Sequence, residues 1–264
     1  MPRDENLPEL ACDALIGLSR LSRDALSLFP DWLPRTILVV ISASLLWLSI
    51  KFAKRSLGRS RGPFVDGMYI PDLALQMIGS HGDLARIVRH SGYRQLHRNL
   101  VLDALLFVPL YVLAILGATL LLVGMPLPCR ALAFSPWAGA VMLLTVVAAI
   151  LDWLENASLG KALRLDASGD SKDEAKKQMQ LGRGHRQAIV KFVCLGIAVG
   201  VLALHAWSPT GLANLPGAAG YGLSFLFCLA SLAMLVCIRF PRFLEPGTAM
   251  TGLGITLLFT ICAW

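Results

Sequence analysis

Four ionisable side chains lie within stretches of the sequence that are otherwise apolar, namely Asp103, Asp152, Glu155 and Lys191. A charged group costs about 2.5–3.5 kcal/mol or more at the centre of a bilayer, so such groups usually pair, bind a ligand or take part in chemistry. Asp152, Glu155 and Asn156 stand at positions i, i+3 and i+4, which places them on one face of a helix. The sequence therefore predicts one polar cluster rather than four separate charges.

Polar residues on the same stretches extend the predicted cluster. Pro109 removes one backbone hydrogen bond and can kink its helix, and the hydroxyl of Tyr111 can reach a buried acceptor. Thr145, one heptad before Asp152, continues the polar stripe. The predicted site consists of Asp103, Tyr111, Asp152, Glu155, Asn156 and Lys191.

Three interpretations of this site are open. In the first, which is favoured, Lys191 and Arg98 neutralise the carboxylates and lock neighbouring helices together. In the second, the site binds a cation, a proton or a polar headgroup. In the third, one of the carboxyl groups performs acid–base chemistry.

The composition indicates where the elements that carry these residues must lie. Hydrophobic residues make up 56% of the 264 residues, charged residues make up 16%, and the mean hydropathy is +0.64. So little polar surface cannot cover a soluble particle, which excludes a disordered protein, a disulfide scaffold and a large soluble catalytic domain. The composition predicts an integral membrane protein.

Six apolar segments approach the 20 or so residues that span a bilayer as a helix. The fold class predicted is all-α, a single domain over 1–264 that holds a six-helix transmembrane bundle with two basic cytoplasmic loops. Residues 1–33 are expected to form an amphipathic N-terminal tail on the membrane surface, with a partly disordered tail as the open alternative, and 34–264 carries the spans and loops. The predicted spans are 34–53, 100–124, 137–159, 187–207, 218–238 and 247–264.

The distribution of basic residues predicts the orientation. Of the 24 Lys and Arg residues, 19 fall between Lys51 and Arg98, between Lys161 and Lys191, or at Arg239 and Arg242. The positive-inside rule then places both long loops in the cytoplasm and both termini in the periplasm of a bacterial inner membrane. Aromatic residues mark the opposite ends of the spans, namely Trp32, Trp137, Trp207, Tyr221 and Trp264.

The predicted partners follow from the same charges. The net charge of +7 is concentrated beside the membrane, above all in 51–62, which favours anionic lipid headgroups. A membrane or periplasmic protein is the second partner class expected. No glycine-rich nucleotide loop, zinc spacing or aromatic-interleaved basic strand occurs, so neither nucleic acid nor any cofactor or metal is expected.

Small residues predict how the helices pack. Gly196 and Gly200 form a GxxxG pattern, which allows close helix approach within the subunit. The cysteines within the spans are expected to act as small apolar fillers. Cys12 and Cys129 both fall outside the cytoplasm, where a disulfide between them is an open alternative.

The runs LALQMIGSHGDLARIV, LHRNLVLDALLFVPLYVL and LDWLENASL resemble a group of small bacterial polytopic membrane proteins. That group shares a helix with an LD, F, P and Y pattern and a helix with a D-x-x-E-N pattern. The resemblance covers about 72–159, and Asp103, Pro109, Tyr111, Asp152, Glu155 and Asn156 take its motif positions. It implies a shared polar core and no particular reaction.

The expected function is non-catalytic, in membrane assembly, partner binding or protection of a bilayer component. The first alternative is a small permease or an ion or proton pathway that uses Asp103, Asp152 and Glu155. The second is an intramembrane enzyme that acts on lipid. A pathway needs ionisable groups throughout the membrane depth, whereas these lie near one side, which favours the non-catalytic interpretation.

Overall fold

The computed structural model describes residues 68, 70–78, 81–123, 136–169, 171–207 and 217–263, with six separate positions between 36 and 47. Those six positions, which fall in the first predicted span, are helical. The predicted N-terminal tail, the rest of the first span, the basic run 51–62 and the Cys12 and Cys129 pair lie outside the described residues.

The regular structure of the described residues is helical, as the sequence predicts. Short helices α1 and α2 precede α3, which continues through one π-helical segment, Asp103–Phe107, into α4. Two long helices, α5 and α6, follow, and α7 and α8 complete the described chain. The bounds are Pro71–Gln76 for α1, His81–Ser91 for α2, Tyr93–Leu102 for α3, Val108–Val123 for α4, Pro136–Ser168 for α5, Glu174–Trp207 for α6, Gly217–Val236 for α7 and Leu244–Ala263 for α8.

The π-helical segment lies directly before Pro109. Because proline has no N–H, the carbonyl of Leu105 loses its normal helical donor, and a wider turn relieves the ring's clash with that carbonyl. The carbonyl of Ala104 accepts a hydrogen bond from the indole Nε1 of Trp153 on α5, at 2.9 Å. The sequence predicted that Pro109 could kink its helix, and the structure shows a widened π-helical turn at this place.

The described part of the first basic loop is helical but interrupted at Gly92, whose φ of +78° lies in the region that favours glycine. Leu84 and Ile87 of α2 and Leu96 of α3 are buried, so both helices contribute to the core. His90 and His97 consequently lie on different helices.

The second basic loop is much shorter than predicted. Helix α5 runs nine residues beyond the predicted end at 159, and α6 begins thirteen residues before the predicted start at 187. The turn between them contains Gly169, at φ +66°, and the 3-10 turn Ser171–Asp173. Each helix is about 50 Å long at 1.5 Å per residue, so its charged end extends beyond about 30 Å of hydrocarbon.

Small residues bring α6, α7 and α8 close together. The hydroxyl of Ser231 donates to the carbonyl of Gly196 at 2.7 Å, across the α6–α7 interface. A Cβ atom at Gly200 would lie 2.9 Å from the Ser231 hydroxyl. The GxxxG pattern thus serves contacts within the subunit, as predicted.

Four described helices are long and apolar enough to cross a membrane, at Tyr93–Thr119, Trp137–Ser168, Glu174–Ala206 and Pro241–Ile261. Gly220–Val236 is a shorter apolar helix. Large apolar side chains such as Leu105, Leu143 and Leu204 point outward from these helices. Such large apolar side chains are suited to contact with lipid chains rather than with water.

The packing of α8 against α7 generates the first prediction. A Cβ atom at Gly254 would lie 2.6 Å from a ring carbon of the buried Phe227, whereas one at Gly252 would meet no atom within 4 Å. Alanine improves helix propensity at both positions by about 1 kcal/mol, and overpacking costs about 1–3 kcal/mol at Gly254 only. Gly254→Ala should therefore melt at a lower temperature than the matched control Gly252→Ala, measured in detergent. Equal melting temperatures would show that α7 and α8 do not approach so closely.

Candidate functional site

The candidate site surrounds Lys191, whose side chain is only 2% exposed although it lies in an apolar helix. Small and apolar neighbours on the same face of α6, Ala188 and Leu195, let α5 approach closely. Carboxylates from α5 and polar groups from three other segments surround the ammonium. We refer to this set as the Lys191 cluster, comprising Gln76, Asp103, Tyr111, Asp152, Glu155, Asn156 and Lys191.

Two carboxylates on one face of α5 bind the ammonium group. Lys191 Nζ lies 2.9 Å from Asp152 Oδ1 and 2.6 Å from Glu155 Oε2. Both acids are buried, with Glu155 at 0% exposure. The i, i+3 spacing of Asp152 and Glu155 therefore lets one ammonium bridge both carboxylates.

Two further side chains complete the inner contacts. The Tyr111 hydroxyl of α4 donates to Asp152 Oδ2 at 3.2 Å, and Lys191 Nζ donates to Gln76 Oε1 of α1 at 3.3 Å. The cluster therefore joins α1, α4, α5 and α6. Gln76 was missed by sequence reasoning, because a neutral amide within the apolar run Leu73–Ile78 gives no charge signal. Its polarity between residues that become buried is the one available hint.

Asp103 occupies a second layer. Its Oδ2 accepts a hydrogen bond from Asn156 Nδ2 at 2.7 Å. The predicted convergence of four charges is therefore correct for Asp152, Glu155 and Lys191, whereas Asp103 joins them through the neighbouring amide. Thr145 does not extend the cluster, because its hydroxyl donates to the carbonyl of Val141 in its own helix, at 2.7 Å.

Arg98, the second cation expected to neutralise the carboxylates, does not reach the cluster. Its side chain is exposed and makes no ion pair with any residue that the structure describes. Lys191 is consequently the cation on which the buried carboxylates depend.

Among the described residues, three buried oxygen atoms of the cluster accept no hydrogen bond, Glu155 Oε1, Glu155 Oε2 and Asn156 Oδ1, and of these Oε2 is in ion-pair contact with Lys191 Nζ whereas the other two have no partner. The cluster also contains three carboxyl groups and one ammonium. A buried acceptor without a donor costs about 1–3 kcal/mol. These atoms are where a proton or a water molecule would fit.

A second charged network lies at the end of α5 and the start of α6. Lys177 is buried and pairs with Asp166 at 2.9 Å and with Glu174 at 2.5 Å. The Tyr93 hydroxyl of α3 donates to the other oxygen of Asp166. The ion pairs of Lys177 fix the α5–α6 turn, and the Tyr93 hydroxyl links that turn to α3.

Other candidate ligands do not assemble. Among the residues that the structure describes, no group of three His, Cys, Asp or Glu side chains could hold a metal ion. Cys194 and Cys237 are buried and unpaired, as expected of apolar fillers, whereas Cys228 is exposed on α7. Cys228 therefore does not fill the interior of the subunit.

Removing one member of the inner ion pairs tests their energetic role. Asp152→Ala and Lys191→Ala should each lower the free energy of unfolding by about 3–5 kcal/mol, because each leaves a buried charge without its partner. The double variant should lose less than the sum of both. Lys176→Ala is the matched control, since Lys176 is 69% exposed and its pair with Asp173 contributes less than about 1 kcal/mol. Additive losses in chemical denaturation would contradict the pairing.

Comparison with known proteins adds no functional information. No family model matches the chain, and neither curated proteins nor solved structures give a match. The resemblance to small bacterial polytopic proteins stays a prediction, and the geometry of the Lys191 cluster must carry any functional conclusion.

Proposed function

We propose that this chain is a non-catalytic, multi-pass protein of a bacterial inner membrane, acting in membrane assembly, partner binding or protection of a bilayer component. The observation that carries the proposal is the set of buried ion pairs that Lys191 makes with Asp152 and Glu155. Lys191, Asp152 and Glu155 are buried and bind one another, so they hold α5 and α6 in a fixed relation. A buried set of this kind favours one arrangement of helices over others.

The two ends of the described helices support the orientation proposed. Trp137 at the start of α5 and Tyr221 near the start of α7 are exposed, as aromatic residues at a membrane interface are. Basic residues lie at the helix ends that are expected to face the cytoplasm: Arg94 is at the start of α3, and Arg164 is near the end of α5. We propose six spans with both termini in the periplasm, the first span supplied by 34–53.

Reporter fusions test this topology. Fusions at Gly62 and at Gly169 should have cytoplasmic activity, and fusions at Pro128 and Thr210 should have periplasmic activity. Gly169 is suitable because it lies in the exposed turn between α5 and α6. Periplasmic activity at Gly169 together with cytoplasmic activity at Thr210 would reverse the proposed orientation.

A proton or cation pathway is the second candidate, and the unpartnered Glu155 Oε1 favours it. Translocation requires polar groups on both sides of such a site. The described residues from Phe192 to Leu204 and from Trp137 to Leu151 contain no ionisable side chain apart from Cys194. This apolar half of the bundle favours the structural proposal over transport.

Proteoliposomes distinguish the two candidates. Vesicles that contain the purified chain should hold an imposed pH gradient as long as protein-free vesicles do, and Glu155→Gln should leave the decay unchanged. The control is Glu174→Gln, which removes a partly exposed carboxylate outside the cluster. Rapid decay in the unmodified protein that Glu155→Gln abolishes and Glu174→Gln preserves would overturn the non-catalytic proposal in favour of a pathway.

A further inference from the structure

A surface groove of about 1000 Å³ lies between α3 and the end of α5. Its walls carry an aromatic ring, an aliphatic side chain and four basic groups, supplied by Tyr93, Leu163, Arg94, His97, Arg98 and Arg164. The Lys191 cluster contributes none of the lining residues, so the groove is separate from the site described above.

The groove has an excess of positive charge. Arg94, Arg98 and Arg164 are exposed, and none forms an ion pair with a described residue. Arg164 Nη2 lies 3.5 Å from His97 Nε2, so two basic side chains converge with no acid between them. The nearby carboxylate, Asp166, is bound by Lys177 and by the Tyr93 hydroxyl. The neighbouring acid is therefore bound by other groups, and the arginines remain available to an anion.

The groove borders the apolar surface of the bundle. Val101, Leu105 and Leu106 follow Arg98 by one to two turns and are exposed. On α5, Leu154 and Trp153 are also exposed, two to three turns before Arg164. These apolar side chains lie outside the groove lining, so a molecule bound by the arginines would reach them by extending along the bundle from the groove.

We propose that this groove binds the phosphate of an anionic phospholipid headgroup, with the acyl chains lying along Val101 and Leu105. Guanidinium groups bind phosphate oxygens through paired, charge-assisted hydrogen bonds, and exposed arginines lose little hydration when they do so. The exposed aliphatic side chains offer apolar contacts that acyl chains can use and a free inorganic anion cannot. This inference rests on the membrane placement in the proposed function and specifies its lipid partner.

Native mass spectrometry of the full chain in detergent tests the proposal. The probes are dioleoylphosphatidylglycerol, dioleoylphosphatidylcholine and inorganic phosphate. The variant Arg94→Gln/Arg98→Gln/Arg164→Gln should bind phosphatidylglycerol about tenfold or more weakly than the unmodified chain, since it loses the phosphate donors. The control Arg183→Gln/Arg186→Gln/Arg239→Gln removes the same charge from exposed positions outside the groove and should lose less than about twofold. Phosphatidylcholine should bind more weakly than phosphatidylglycerol.

Three results would overturn the proposal. Equal weakening in both triple variants would indicate diffuse attraction rather than a groove. Displacement of phosphatidylglycerol by equimolar inorganic phosphate would assign the groove to a free anion. Retention of an acidic protein by the unmodified chain, lost in the groove variant while lipid binding persists, would assign it to a protein.

Two features keep the outcomes interpretable. Unchanged melting temperatures of both triple variants show that lost binding is not lost folding. Lipid binding measured in detergent depends neither on the orientation of the chain in a membrane nor on ion movement. A negative result in the topology or proteoliposome tests would therefore not overturn the groove proposal. A negative result in the lipid-binding test would not overturn the proposed topology or the non-catalytic function.

Discussion

Burial of one ammonium group is the constraint on which the bundle depends. Lys191 lies within an apolar helix at 2% exposure, and an isolated charge there would cost several kcal/mol. Asp152 and Glu155 offset that cost from a single face of α5, and Gln76 accepts a further hydrogen bond from the ammonium. The contacts require α5 and α6 to lie side by side in one register, because a shift of one residue would turn the carboxylates away.

Several other features follow from this register. The α5–α6 interface is the most extensive among the described helices. Helices α5 and α6 extend beyond their apolar segments, which brings Asp166 beside Lys177 and Tyr93. A second network therefore fixes the turn between α5 and α6. The same extension places Arg164 next to His97, which creates the basic groove. The interior ion pairs and the surface groove are therefore consequences of one pair of long helices.

The sequence predicted the helical fold of the described residues, and four of the described helices are long and apolar enough to cross a membrane, because apolar segments of spanning length leave few alternatives. It also predicted that Lys191 meets Asp152 and Glu155, since spacing of i, i+3 in an apolar background fixes a face. It could not predict Gln76, whose neutral amide resembles the surrounding core, or the secondary position of Asp103. The lengths of α5 and α6 were underestimated because charged residues at helix ends have the composition of loops. The burial of Lys177 could not be predicted for a related reason: it depends on partners that the α5–α6 turn brings close.

The interaction to test is that of a charged Lys191 bound by both Asp152 and Glu155. Solid-state NMR of the full chain in lipid bilayers, with labelled lysine and glutamate, measures the separation of Lys191 Nζ from the Glu155 carboxyl carbon directly. We expect a separation below about 4 Å, as in an ion pair, and a lysine nitrogen shift typical of an ammonium. A neutral amine, or a separation well beyond contact, would contradict it.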